Sequence, residues 1–242
     1  LVNQYGESSS IDEFARKGQL LGAINSKSIW EVWNYNKLDY GDRFCSGLLF
    51  WYHNCSMRQV ASRMWDWSLE PTASLYHTAN SLEPLHAQFD YLKNTVSVVN
   101  DFYQTFNNYK VVAQVYDIDS RKVSEESAVV NLPEDGVAND VLTIRFPENI
   151  SQVHFIKLIL KDEEGKEISS NFYWRSKDKY EGKTTLTGPA TSGFKQLGDL
   201  KPAKVKLSYK VREDGNRYFV DVTLKNNSNR IAFFNQLQFL NS

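Results

Sequence analysis

The stretch Phe50-Trp51-Tyr52-His53-Asn54-Cys55 gathers an indole, a phenol, an imidazole, a carboxamide and a thiol within six residues. It grows out of Gly47-Leu48-Leu49-Phe50-Trp51, a continuous apolar run of strand length, which predicts a strand over 45–52 buried on both faces. A buried strand that ends in aromatic and hydrogen-bonding side chains is where barrels and open α/β sheets place their binding sites. Trp51 is then either a flat platform for a ligand or part of a packed interior. His53 and Asn54 supply donors and acceptors, either to a ligand or to the backbone of the loop they begin.

Other chemistry-bearing sets are weaker. Asp66 and Glu70 form a carboxylate pair, but a spacing of four fixes no geometry, and turn or capping roles compete. His77, His86 and Asp90 imitate a metal set without tight spacing, so no metal and no cofactor are expected. Asn54-Cys55-Ser56, Asn149-Ile150-Ser151 and Asn226-Asn227-Ser228 match the glycosylation acceptor pattern, which has meaning only in a secreted eukaryotic chain. Cys45 and Cys55 flank the predicted strand at ends roughly 30 Å apart, so a straight strand forbids a disulfide between them.

The elements that position these residues are legible from capping and periodicity. Ser10-Ile11-Asp12-Glu13 is a capping box that starts a helix over 11–36, with Phe14, Leu21, Ile24 and Ile29 as its apolar stripe. A second helix, Thr72–Ser81, follows Pro71. Helix, strand, loop, helix is the cadence of the closing segment of a β/α barrel. From Glu83 the grammar changes to short runs at 86–90, 95–100, 110–116, 140–146, 154–161 and 167–174. Turn signals separate them at Lys93-Asn94, Asn107-Asn108, Asp119-Ser120, Glu134-Asp135-Gly136 and Glu164-Gly165. About seven short strands in such a span indicate an immunoglobulin-like sandwich. Beyond a polar linker, 203–211 and 218–226 alternate and are joined by Glu213-Asp214-Gly215-Asn216, a hairpin signal, and Ile231–Leu240 offers a third strand.

The expected architecture is therefore α+β and multidomain. Residues 1–83 are the end fragment of a β/α (TIM) barrel, 84–178 an immunoglobulin-like β-sandwich, 179–202 a linker, and 203–242 part of a second β-sandwich. The 242 residues carry a net charge of −1 with 24% charged side chains, and no apolar run is long enough to cross a bilayer. Near neutrality gives no electrostatic case for nucleic acid or an anionic membrane as partner. The chain starts at Leu1 with neither an initiating Met nor a signal-peptide pattern, and is expected to be a piece of something longer.

In order along the chain, Gly47-Leu-Leu-Phe-Trp51, Met64-Trp65-Asp66, Thr72-Ala-Ser-Leu-Tyr76, Glu83-Pro84-Leu85-His86, Asn171-Phe-Tyr-Trp174 and Val222–Ser228 with Ala232-Phe-Phe234 resemble the C-terminal part of glycoside hydrolase family 2 enzymes. The branch is that of exo-β-D-glucosaminidases, mannosylglycoprotein endo-β-mannosidases and β-mannosidases. The resemblance implies a retaining, exo-acting β-glycosidase as parent, periplasmic or secreted, with a carbohydrate substrate. It also implies that both catalytic carboxylates are absent here. In this family the acid follows Asn in an Asn-Glu pair, which this sequence lacks, and the nucleophile precedes the helix that Ser10 would open. Trp51, His53 and Asn54 are then the candidate sugar-contacting residues. The family's aromatic wall after the strand is replaced by Cys55-Ser56-Met57-Arg58. The alternative is a non-catalytic carbohydrate-binding or structural sandwich, and a binding module would show a row of exposed aromatics. Either way, the apolar face of the first helix needs cover, from the sandwich, from a homo-oligomer or from the rest of the parent polypeptide.

Overall fold

Seven strands between Leu85 and Ser176 pair into two antiparallel sheets in the computed structural model, which describes residues 2–37, 47–51, 53–59, 63–178 and 193–237. Strands β1 (Leu85–Asp90), β2 (Thr95–Asn100) and β5 (Gly136–Thr143) form one sheet in the order β1-β2-β5. Strands β3 (Phe106–Tyr116), β4 (Lys122–Leu132), β6 (Val153–Lys161) and β7 (Glu167–Ser176) form the other in the order β4-β3-β6-β7. Alternate residues turn inward, as a period of two requires. Val96 and Val98 from one sheet meet Val111, Ala113, Val115, Ile156, Leu158 and Leu160 from the other in one buried cluster. The arrangement is an immunoglobulin-like sandwich. Its connections use left-handed backbone at Asn94 (φ 58°), Ser120 (φ 69°), Asp135 (φ 44°) and Gly165 (φ 84°), four of the predicted turn sites.

Helix α1 (Ile11–Tyr35) starts as its capping residues dictate: Ser10 Oγ accepts from the Glu13 N–H at 3.2 Å. The reciprocal half of the box is displaced by one residue, because the Glu13 carboxylate accepts from the N–H and hydroxyl of Ser9 rather than from Ser10. Helix α2 (Ala73–Ser81) is capped by α1 at both ends. Gln19 accepts from the Ala73 N–H at 2.9 Å, and Asn34 donates to the Ser81 carbonyl at 2.8 Å. These two contacts satisfy groups that a helix cannot satisfy internally, so the two helices are one unit.

The face α1 turns to the sandwich is built of small and polar residues: Ala23, Ser26, Lys27 and Glu31 are buried. Leu20, Leu21 and Ile24 flank this face and pack on a second cluster with Val153, Phe155 and Trp174. Toward its other end Tyr35 donates to Asp140 at 2.8 Å, and Lys37 bridges Asp101 and Asp135 at 2.7 and 2.6 Å. The sandwich thus provides part of the expected cover. Ile11, 86% exposed, with Phe14, Ile29, Val32 and Trp33, forms an opposite apolar face left in solvent.

Three expectations need correction. Residues 47–51 are irregular, with Leu49 99% and Trp51 76% exposed, instead of a buried strand. A parallel barrel strand takes its hydrogen bonds from two neighbouring strands, and no such neighbour pairs with it among the described residues. Residues 231–237 do not form a third strand: Phe234 takes φ 54°, incompatible with an extended ladder, and Ile231, Phe233 and Phe234 instead pack on Trp174 and Phe155. The β4 strand was not anticipated, and β5 begins four residues before its predicted start. The predicted hairpin forms from β8 (Val205–Asp214) and β9 (Arg217–Asn226), with Gly215 at φ 59° in its two-residue turn. The expected third strand beyond 237 lies outside the described residues, as does most of the 179–202 linker. Among the described residues, no helix is long and apolar enough to cross a membrane.

Candidate functional site

Trp51, His53 and Asn54 all lie on one exposed irregular segment. The His53 carbonyl accepts from the N–H groups of Met64 and Trp65 at 3.1 and 3.2 Å, and its ring stands 6.4 Å from the Trp65 ring. His53 therefore anchors the segment to Met64-Trp65, where an isolated bridge pairs Trp65 with Pro71 at the entrance to α2. The three side chains fall within four residues of sequence and are exposed, so among the described residues they are not enclosed in a cleft. Asp66 has the turn role: its Oδ1 accepts from the Ser68 and Glu70 N–H groups at 2.8 and 2.9 Å.

His77 and His86 sit in packing roles. The His77 ring lies edge-on to Trp174 at 5.7 Å and stacked on Phe234 at 6.1 Å. Burial, reinforced by the nearby Lys27 charge, lowers its pKa to about 4, so it is neutral at pH 7. His86 hydrogen-bonds through Nδ1 with the Glu83 carbonyl and is also pushed down by burial.

The densest polar constellation was hidden from the sequence. Lys27 and Glu31, an i,i+4 pair on α1, are buried against the sandwich with Nζ and Oε1 3.3 Å apart. Tyr173 on β7 donates its hydroxyl to Glu31 at 2.6 Å, and Asn171 on the same strand accepts from Lys27. The Lys27 ammonium also stands 4.6 Å from the centre of the Tyr173 ring. Gln88 on β1 donates to the Glu31 carbonyl at 2.8 Å. Burial lowers the Lys27 pKa against the opposing pull of Glu31, and raises that of Tyr173 well above the usual phenol range. A Lys-Glu pair at this spacing ordinarily marks a solvated helix face, which is why periodicity pointed elsewhere. The only sequence hint was that Asn171 and Tyr173 alternate with the apolar Phe172 and Trp174 on β7.

Among the described residues, the buried acids are Glu31 and Asp117, and each is held by a cation, Lys27 and Arg121 respectively. The Lys27–Glu31–Tyr173 arrangement joins a helical unit to a sandwich.

The fold defines an immunoglobulin-like sandwich that carries a two-helix unit before it and a β-hairpin after it. Residues 93–180 match the mannosidase Ig/CBM-like domain family. The chain is similar to an exo-β-D-glucosaminidase of Arthroderma benhamiae, 26% identical over 99% of this chain and 27% of the relative. It is also similar to a mannosylglycoprotein endo-β-mannosidase of Lilium longiflorum, 24% identical over 94% of this chain and 23% of the relative. The exo-chitosanase of Amycolatopsis orientalis shares the fold with a TM-score of 0.83 at 22% identity, over 94% of this chain and 28% of that one. Together these likenesses support a resemblance to the C-terminal portion of glycoside hydrolase family 2 enzymes. It spans about a quarter of the length of the curated relatives it matches.

Proposed function

We propose that the chain is the C-terminal region of a retaining, exo-acting β-glycosidase that hydrolyses β-linked glucosaminides or mannosides. The observation that carries this reading is colinearity: similarity to an exo-β-D-glucosaminidase runs through the helices, the sandwich and the hairpin, over 99% of the chain. A sandwich reused as an independent module would match over its own span alone. The apolar face that α1 leaves exposed and the irregular, exposed course of 47–51 agree with it, since both would be covered in a β/α barrel. In that barrel, 47–51 pairs with its neighbours as the last strand, and Trp51, His53 and Asn54 come to the sugar site. The acid/base and the nucleophile, about 5–5.5 Å apart in retaining enzymes, stand on strands upstream.

The 242-residue chain alone is then inactive, and the full-length polypeptide releases nitrophenol from aryl β-glucosaminide or aryl β-mannoside. Replacing Trp51 by Ala in the full-length protein raises KM or lowers kcat for that substrate. The reading is overturned if the isolated chain hydrolyses either glycoside, or if the full-length protein acts on neither.

A further inference from the structure

We propose that the end of the sandwich formed by the β2–β3 and β6–β7 connections is a binding site for a saccharide carrying a free ammonium group. It is remote in sequence from Trp51, His53 and Asn54. A cavity of about 390 Å³ opens there, lined by Gln104, Asn107, Tyr109, Asp162, Glu163 and Glu164 among others. That volume falls within the range of small-molecule pockets, about 300–1,000 Å³.

Aromatic rings make one side of the site. Phe102 and Phe106 meet edge to face at 6.1 Å, and Phe106 and Tyr109 are 5.2 Å apart. Phe102 is 44% and the adjacent Tyr103 86% exposed. Phe106 and Tyr109 line the cavity while packing in part on the sandwich core, and Phe102 and Tyr103 extend the ring surface into solvent next to them in the chain. Ring faces suit the C–H faces of a pyranose and attract an ammonium group as well.

The polar side selects charge. The lining holds three carboxylates, two carboxamides and no cation. The carboxylates are near the rings: the Tyr109 phenol is pushed up by burial and then by Asp162 and Glu163. A metal ion is the competing occupant, and the donor set disfavours it. Asp162 Oδ1 already accepts from the N–H groups of Glu164 and Lys166 at 3.1 and 2.8 Å. Among the described residues no three His, Cys, Asp or Glu are arranged to hold a metal. Carboxylates beside amides and ring faces, with no metal cage, fit an organic cation rich in hydroxyls. That the cation is a saccharide rests on the function proposed above; that it is cationic rests on the lining alone.

The test is an NMR titration of the 242-residue chain with a β-1,4-linked glucosamine trisaccharide, its fully N-acetylated counterpart and a mannotriose. The free-amine sugar is expected to give saturable shifts confined to residues 102–109 and 162–164. The acetylated sugar should bind about fivefold more weakly, the factor for about 1 kcal/mol. Glu163→Gln with Glu164→Gln, at exposed positions, should remove that preference without altering the fold, and Tyr109→Leu, which keeps an apolar group, should weaken both sugars. Equal binding of the two trisaccharides, shifts elsewhere on the sandwich, or no binding overturns the proposal. Hydrolysis by the full-length enzyme together with no binding here defeats this site and leaves the glycosidase reading standing.

Discussion

The sandwich and the hairpin β8–β9 are written in the same alphabet and end in opposite environments. In β6, Phe155, Ile156, Leu158 and Leu160 are all buried, because a second sheet, a neighbouring strand on each side and the helical unit cover them. In the hairpin, Leu207, Tyr209 and Val211 face Leu224, Val222 and Val220 across the ladder, forming as clean an apolar face. It remains largely in solvent. Alternation therefore specifies which side of a strand is apolar, while burial needs a partner surface the pattern does not contain. The same holds for α1, whose sandwich face is closed and whose opposite face is open.

The sharpest way to break this contrast is at the buried ion pair. Removing one partner, as in Glu31→Ala, leaves the Lys27 charge in a buried site and should destabilise by about 3–5 kcal/mol in urea unfolding. Replacing both, as Lys27→Met with Glu31→Leu, should recover most of that loss, because the desolvation cost disappears with the charges. In the hairpin, the exposed Arg212–Asp221 pair at 3.2 Å has both side chains mostly in water. Arg212→Ala should change stability by less than about 1 kcal/mol. Equal losses at the two sites would mean that the α1 seam is hydrated in solution.

Acidification tests the closed side by another route. Burial holds His77 and His154 at about 4, with Lys27 and Arg175 respectively adding to the effect, against an ordinary value of 6.5. The unfolded chain binds more protons than the folded one between those values. Stability is therefore complete above about pH 6.5 and falls as the pH drops toward 4, by up to about 3 kcal/mol for each histidine. The hairpin, which contains no histidine, contributes none of this dependence. Thermal unfolding followed from pH 7 to 4 should show the decline, and His154→Asn should flatten part of it. A flat profile would show that both rings are solvated.

What could be read in advance follows the same division. The helix α1 was legible because Ser10 and Glu13 specify its start by local hydrogen bonding, and the sandwich was legible because two-residue alternation and turn residues are local too. Strand β4 escaped because Lys122-Val123-Ser124-Glu125-Glu126 is the polar start of an edge strand, where solvent takes the place of a packed face. Asp140 misled the placement of β5, since its φ of 54° and its bonds to Thr95 and Tyr35 belong to a bulge in mid-strand, not to a strand start. Ile231-Ala232-Phe233-Phe234 was read as a strand because a continuous apolar run has no period, and only the Trp174 surface decides its form. At the candidate site, the aromatic and amide content of 51–54 was visible, whereas the exposed, irregular course of 47–51 was not, because a continuous apolar run does not say what covers it. The Lys27–Glu31–Tyr173 seam was invisible for the converse reason: its partners are about 140 residues apart, and neither half looks buried by itself.

One leucine in each region bears most directly on the comparison. Leu158→Ala in β6 removes a fully buried side chain and should cost about 2–5 kcal/mol, the transfer term plus the cavity left behind. Leu207→Ala in β8 makes the same chemical change at a position that is half exposed and stands opposite Leu224 in the ladder. Its loss should stay within about 1 kcal/mol, the scale of a single cross-strand pair. If chemical denaturation instead gave Leu207→Ala a loss equal to that of Leu158→Ala, the hairpin face would have to be covered in solution, by a second copy of the chain or by part of this one. Dilution separates those cases: cover from a second copy weakens as concentration falls, whereas cover from within the same chain does not.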